Sequence, residues 1–437
     1  MPLLSPPMLP AARPTSAPAT RIPSPARVPS KVRVYLLIFG LLSGCWLAGE
    51  ILALFGWVES PLAHAINDVR FASFYFVMMF ASFTLLHLGT RPPPGEWRAI
   101  SVFGPAASIG VFLLEPVTQL GFTVADAACV GFGLASITIL AVRVIRGAGA
   151  DRAQALCLFL LTCMLLVFTV LNPFFQDLTN RLTPATLDHY AYAADEALGL
   201  QWSFVLGQWF DALPALRVTS AVVYYTLLFA FLVVLVLQQR ALKPPYLDIF
   251  PTLLATTLIG YTLYLLFPLV GPASLFGAAF PLAPPSVSAV LTGPFDVPDS
   301  PRNCMPSLHT VWALLIWWHC RPFAWPIRIF AGIYLTFTLL ATLGLGFHYL
   351  VDLIVAAPFA VLVQAQATPP CVATAGPRRR AMLLCGVLVI AWLLAIRYGL
   401  PVLAWSPALG LAAAMVTIAI AWLTEQRLYR IFCQSVG

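Results

Sequence analysis

A chain of 437 residues that is 60% hydrophobic and only 9% charged cannot cover its surface with water-compatible side chains, since soluble domains carry roughly 25% charged residues. With a mean hydropathy of +0.88, its solvent is lipid. The formal net charge of +7 is then a statement about membrane topology and not about nucleic acid.

In chain order, residues 1–32 are rich in Pro, Ala, Ser and Arg and read as a disordered cytoplasmic tail. They lack the charged start, apolar core and cleavage site of a secretory signal. Apolar runs then predict helices over 34–58, 70–90, 99–115, 124–142 and 153–171, a five-helix membrane region within residues 33–172. Further runs over 217–238, 249–268, 307–320, 326–343 and 347–366 fall within residues 173–366. A last pair, 381–396 and 402–424, lies with a cytoplasmic tail in residues 367–437. A span needs about 20 apolar residues, and a helix satisfies its own backbone in lipid. The alternating pattern of a membrane barrel is missing. The expected fold is all-α: a polytopic membrane helical bundle of about 12 transmembrane helices.

With the N-terminus in the cytoplasm, 19 of the 24 Lys and Arg residues fall on inner segments. Only Arg70, Arg181, Arg217, Arg302 and Arg397 fall outside. This bias supports an even number of spans in the cell inner membrane, with both termini cytoplasmic. Two outer loops are long. The first, about 172–216, carries Leu198, Trp202, Phe204, Trp209 and Phe210 and reads either as interfacial helices or as a packed cap. The second, about 269–305, is rich in Pro and Gly. Nine cysteines form no CxxC pair, and most sit in predicted spans as small apolar residues, so neither a disulfide framework nor a zinc site is expected.

Six histidines are present. His309 begins the run 307–320 and His348 begins 347–366. One returning helix separates them, so both lie at the outer face. His348 and Asp352 are four apart and share a helix face, which lets Asp352 fix the tautomer of His348. The run 307–320 covers about 21 Å, less than the roughly 30 Å core, so its N-terminus starts in a recess. Helix N-terminal amides favour phosphate, Pro306 suits the first positions of a helix, Ser307 adds a hydroxyl, and Arg302 is the nearest outer cation. A structural His–Asp pair is the bland alternative. A metal site would need a third ligand from His189 or an outer acid, and the spacing points to none. His87 and His319 lie at cytoplasmic ends of their spans, and His64 carries no motif.

Pro306-Ser307-Leu308-His309 resembles the Pro-Ser-x-His signature of the type 2 phosphatidic acid phosphatase superfamily. His348-Tyr349-Leu350-Val351-Asp352 resembles its His-x-x-x-Asp signature. The His-Tyr-x-x-Asp form, with Tyr264-Leu-Leu-Phe-Pro268, is similar to the branch of inositol phosphorylceramide synthases and related bacterial lipid phosphotransferases. The likeness covers roughly residues 190–366. Two features of many members are missing: a Lys-x6-Arg-Pro motif, and a Ser-Arg pair, in whose place stand Ala341 and Thr342.

The resemblance implies a six-helix catalytic core and a lipid phosphatase or head-group phosphotransferase, with transfer favoured. It implies His348 as nucleophile through a phospho-histidine, Asp352 as its orienter and His309 as general acid and base. Ser307, Arg302 and the helix N-terminus hold phosphate, Arg217 and Arg181 being the other outer cations. Neither a metal nor a cofactor is implied. The expected partners are a membrane lipid substrate and the bilayer, with no nucleic acid. Two other classes fit the composition: a transporter, and a lipid-linked-sugar glycosyltransferase using Glu59 or Asp68 as base.

Overall fold

The computed structural model describes residues 27–70, 74–241, 248–292, 294–297, 300–368 and 372–436. The segment read as a tail lies outside the described residues as far as residue 26, as do the side chains of His64, Asp68 and Arg70.

The bundle is built almost wholly of helices. The first six are α1 (Arg27–Leu54), α2 (Pro61–Arg70), α3 (Phe74–Gly89), α4 (Pro94–Thr118), α5 (Val124–Arg146) and α6 (Gly149–Leu182). Then come α7 (Asp188–Ala197), α8 (Trp202–Ala212), α9 (Pro214–Tyr225), α10 (Leu227–Arg240), α11 (Ile249–Leu266), and the short α12 (Pro272–Phe276) and α13 (Val287–Val290). The chain closes with α14 (Leu308–Cys320), α15 (Trp325–Gly344), α16 (Leu350–Ala367), α17 (Val372–Tyr398), the short α18 (Leu400–Leu403) and α19 (Pro407–Val436).

Each of the twelve predicted apolar runs falls largely on helix, residues 71–73 of the run 70–90 lying outside the described residues. By length and composition, nine helices among the described residues can cross a membrane, and α9 with α10, bent by 50°, makes a tenth when taken as one span. The other two runs fall on α3, whose apolar stretch is Phe76–Gly89, and on α14, with 13 residues. Both are short of the roughly 20 residues a lone span needs. Most of α14 is buried by its neighbours, so it need not match the thickness of the lipid by itself.

Two apolar clusters fill the bundle. One is centred on α6 and α10 and takes in Tyr35, Phe83, Leu161, Met164 and Phe231. The other is centred on α16 and takes in residues of α7, α11, α14, α17 and α19. In α4 and α5 the packing is by small residues, as expected where lipid offers no hydrophobic drive. An added Cβ at Gly104 would collide with Phe132, and one at Gly131 with the backbone of Ser108. Tyr35 of α1 donates to Asp248 at 2.6 Å, tying the N-terminal helices to the start of α11. The eight described cysteines are all free.

α14 and α16 begin at one end of the bundle, called here the cap end. The two predicted outer loops meet over it. The first is a packed cap: Tyr192, Ala194, Leu198, Phe204 and Phe210 are buried, while Trp209 is exposed. A two-residue ladder, β1 (Ala185–Thr186) against β2 (Phe295–Asp296), joins the loops antiparallel, with Ala185 opposite Asp296 and Thr186 opposite Phe295.

Candidate active site

Three elements meet under the cap: the start of α14, the turn before α16, and the end of α9. Ser307 is the N-cap of α14, its hydroxyl oxygen accepting from Thr310 N at 3.4 Å. Capping uses a lone pair and leaves the hydroxyl hydrogen to donate elsewhere. Its own amide donates to the carbonyl of Asp352 at 3.4 Å, which joins the start of α14 to the first turn of α16. An added Cβ at Gly260 of α11 would meet Leu308, so only glycine lets α11 pack this closely against the residue before His309.

His348 lies in the turn before α16 and is 2% exposed. Gly346 enters that turn at φ +72°, a left-handed conformation that glycine adopts without a Cβ penalty. The His348 amide donates to Thr342 O at 3.0 Å, and its carbonyl accepts from Ser203 Oγ at 2.7 Å. Ring Nδ1 lies 3.1 Å from the Cys304 carbonyl and 3.3 Å from Asp352 Oδ2. The expected His348–Asp352 pair is present, but its physical basis differs from a shared helix face. His348 precedes the helix, and Asp352 at the third helical position reaches back to accept from Tyr349 N at 2.9 Å, as in a capping box.

His309 is held from the other side. Tyr224, the penultimate residue of α9, places its hydroxyl 2.9 Å from His309 Nδ1. The two rings stack with centroids 4.0 Å apart and 20° between planes. Tyr224 also lies against Phe347, the residue before His348, 5.4 Å between centroids. The 50° bend after Tyr225 turns α10 away and leaves the end of α9 over α14.

The cap helix α7 clamps the turn through two acids. Asp195 accepts from Leu350 N at 2.7 Å and Val351 N at 3.0 Å, satisfying two of the free amides that begin α16. Asp188 accepts from Val270 N, Gly271 N and the Tyr349 hydroxyl at 2.9–3.2 Å. Both are wholly buried. Burial pushes both carboxyls upward, and the amide donors draw them back in part. Asp188, Asp195, Ser203 and Tyr224 were not singled out from sequence. The seven-residue spacing of the two acids puts them on one face of an alanine-rich helix, a signal that was there to be read.

Arg302 is placed differently from the expectation. Its guanidinium is fully buried and donates to the carbonyls of Thr183 at 2.9 Å and Val297 at 2.7 Å, and to those of Ser300 and Pro184. These donors are spent on clamping the two cap loops together, which corrects its assignment as a phosphate ligand. Of the other outer cations, Arg181 pairs with Asp177 and Arg397 lies over the Tyr190 and Tyr398 rings. Arg217 makes a half-exposed pair with Asp211 at 3.2 Å. It stands seven residues before Tyr224, on the same face of α9 and about 10 Å along it.

Three other histidines have described side chains, and each has its own partners. His189 packs on Tyr190 and Phe295. His87 meets Glu96 at 2.8 Å, and His319 meets Gln238 at 2.9 Å. The third metal-type donor that the spacing failed to supply is Cys304, whose thiol donates to Phe347 O at 3.0 Å.

Compared with known proteins, the chain matches no curated protein and no solved structure. Residues 189–366, from the second residue of α7 to near the end of α16, match the family model of the PAP2 superfamily, and this stretch contains Asp195, Ser203, Tyr224, Cys304, Ser307, His309, His348 and Asp352.

Proposed function

We propose that the protein is an integral-membrane phosphoryl-transfer enzyme of the inner membrane. It acts on lipid phosphates or phospholipid head groups at the outer face and passes through a phospho-histidine. The family match over residues 189–366 supports phosphatase or phosphotransferase chemistry. The single observation that carries the residue roles is the surroundings of His348 Nδ1. Both of its neighbours, the Cys304 carbonyl and the Asp352 carboxylate, are acceptors. The ring proton therefore belongs on Nδ1, and Nε2 keeps its lone pair for attack.

In the first half-reaction His348 Nε2 bonds to phosphorus as the bond to the leaving alcohol breaks. Asp352 and the Cys304 carbonyl stabilise the positive charge that grows on the ring. His309 gives its Nε2 proton to the leaving oxygen. Tyr224 accepting from His309 Nδ1–H reserves Nε2 for that proton. In the second half His309 takes the proton of an acceptor hydroxyl, the new oxygen attacks phosphorus, and the P–N bond breaks. The free amides that begin α14 and the Ser307 hydroxyl hold the non-bridging oxygens. Arg217 takes the role first given to Arg302, since an exposed ion pair is weak and readily exchanges its carboxylate for phosphate.

Burial of the nucleophile under the cap disfavours bulk water as acceptor, which supports head-group transfer over hydrolysis. The test is a panel of lipid phosphates and phospholipids given to the purified protein, with and without a lipid or sugar hydroxyl acceptor. An acid-labile phosphoryl label on wild type, lost in His348→Ala, is expected. Absence of both phosphate release and head-group movement across the whole panel sinks the reading.

A further inference from the structure

Cys304 Sγ, a ring nitrogen of His348 and a carboxylate oxygen of Asp352 lie within 4.8 Å of one another, and all three side chains are buried. The 3.3 Å between His348 Nδ1 and Asp352 Oδ2 matches the edge of a tetrahedron with bonds of about 2.0–2.1 Å, the range for zinc with nitrogen and oxygen. Asp352 Oδ1 adds a second, independent observation. It is buried and accepts no hydrogen bond, whereas buried polar atoms are nearly always satisfied, and an orphan of this kind calls for an ion or a water.

We propose that Cys304, His348 and Asp352 form a binding site for a thiophilic divalent cation, with Zn²⁺ the ion that fits, and that its occupancy switches the enzyme off. The donor set decides the ion. A thiolate, an imidazole and a carboxylate suit Zn²⁺, while Mg²⁺ and Ca²⁺ take oxygen ligands. Thiolate and carboxylate together neutralise the charge of the ion, which a buried site requires. Binding releases the thiol proton of Cys304 to solvent, while the ring proton of His348 moves from Nδ1 to Nε2, so the imidazole stays neutral as a ligand.

The inhibitory half rests on the reaction proposed above. With a cation on Nδ1 the ring proton sits on Nε2, which then has no lone pair for attack, and Asp352 is taken from the ring whose charge it would stabilise. The metal thus competes with the reaction for the same two side chains. Cys304 is the residue that separates the functions, because its thiol enters the metal site and only its backbone carbonyl meets His348.

The test uses the full-length protein in detergent, stripped with chelator and dialysed against Zn²⁺. One Zn²⁺ per chain is expected, with affinity lowered at least about tenfold in both C304S and D352N. Co²⁺ in place of Zn²⁺ is expected to give a thiolate-to-cobalt charge-transfer band that C304S removes, with Mg²⁺ unable to displace it. Melting temperatures of the two variants without metal establish that they are folded, and the cobalt band of wild type reads the site without any variant. No stoichiometric binding, or binding and a band unchanged in C304S, overturns the site. Zn²⁺ is expected to inhibit turnover reversibly, and less potently in C304S by the same factor. Occupancy that leaves turnover unaffected overturns the inhibitory half. A cobalt band in a protein that turns over none of the lipid donors refutes the reaction instead, and the metal site stands.

Discussion

At the cap end, α14 and α16 bring together His309, His348 and Asp352. At the opposite end the same two helices bring Arg321 and Gln364 to Glu425 of α19. Glu425 is wholly buried, pairs with Arg321 and accepts from Gln364 at 3.0 Å, while Arg321 also lies over the Tyr429 ring. At the cap end the buried acids Asp188, Asp195 and Asp352 accept mainly from backbone amides; at the far end the buried acid is met by a cation. Backbone-directed acids fix the path of a turn, and therefore the position of a side chain within it. A cation-directed acid fixes one helix against another and needs no accurate turn. The difference separates an end built for placement from an end built for assembly.

The sharpest way to break that comparison is to remove the placed residues. His348→Ala is expected to abolish turnover to the limit of detection. His309→Ala is expected to lose about 10²- to 10⁴-fold, the usual contribution of a general acid–base. Both variants are expected to retain the melting temperature of wild type within a few degrees, measured in the same detergent. Near-normal turnover in either variant removes its assigned role.

At the far end the expectation reverses. Arg321→Met leaves Glu425 buried without its cation, and breaking a buried pair in this way costs about 3–5 kcal/mol. Thermal stability should fall sharply while turnover per folded molecule holds. The double variant R321M/E425L should recover much of the loss, since an apolar pair of similar volume is often as stable as a buried ion pair. A large fall in turnover by folded R321M would mean that the far end also places the site.

How much of this was legible beforehand follows from the range of each interaction. His309, His348 and Asp352 could be found because their pairing depends on local spacing and on which end each span begins, both readable along the chain. Even so, the His348–Asp352 contact arises from a helix cap and not from a helix face. Arg302 was misjudged because closeness in sequence to His309 says nothing of direction. Two of its four acceptors, Thr183 and Pro184, lie more than a hundred residues earlier and arrive through the β1–β2 ladder. Cys304, in the second predicted outer loop, was given no role, although it stands two residues before Pro306. Tyr224 was invisible because a tyrosine near the outer end of an apolar run looks like an interfacial anchor; only the bend after Tyr225 turns it onto His309. The twelve-run count held as helices, but α3 and α14 are shorter than independent spans because packing covers them.

Asp195 tests the cap clamp with a smaller effect. Asp195→Ala leaves the Leu350 and Val351 amides without their acceptor, at about 1–3 kcal/mol for an unsatisfied buried group, and frees the start of α16. Melting temperature and turnover should fall together, unlike in R321M. The pH dependence has a definite sign. Burial holds the Asp195 carboxyl well above its ordinary value in the fold, so the folded state binds the proton more tightly than the unfolded chain. Its contribution is greatest below the unfolded pKa of about 3.9 and declines as pH rises through the raised folded value. Asp195→Asn should flatten that slope in melting curves recorded across the acid range.

Tyr224→Phe carries the smallest expected change and the finest distinction. The phenylalanine keeps the stacking on His309 and loses only the hydroxyl that meets Nδ1. A neutral hydrogen bond is worth about 0.5–1.5 kcal/mol, so turnover should fall about 2- to 10-fold with the melting temperature little changed. If Tyr224 only packs, the loss is uniform across pH. If it holds the tautomer of His309, the limb of the pH–rate profile that reports His309 shifts, because the partner of its ring proton has gone. A profile of unchanged shape in Tyr224→Phe would reduce Tyr224 to a packing residue and leave His348, with its two acceptors at Nδ1, as the one histidine whose tautomer the cap end sets.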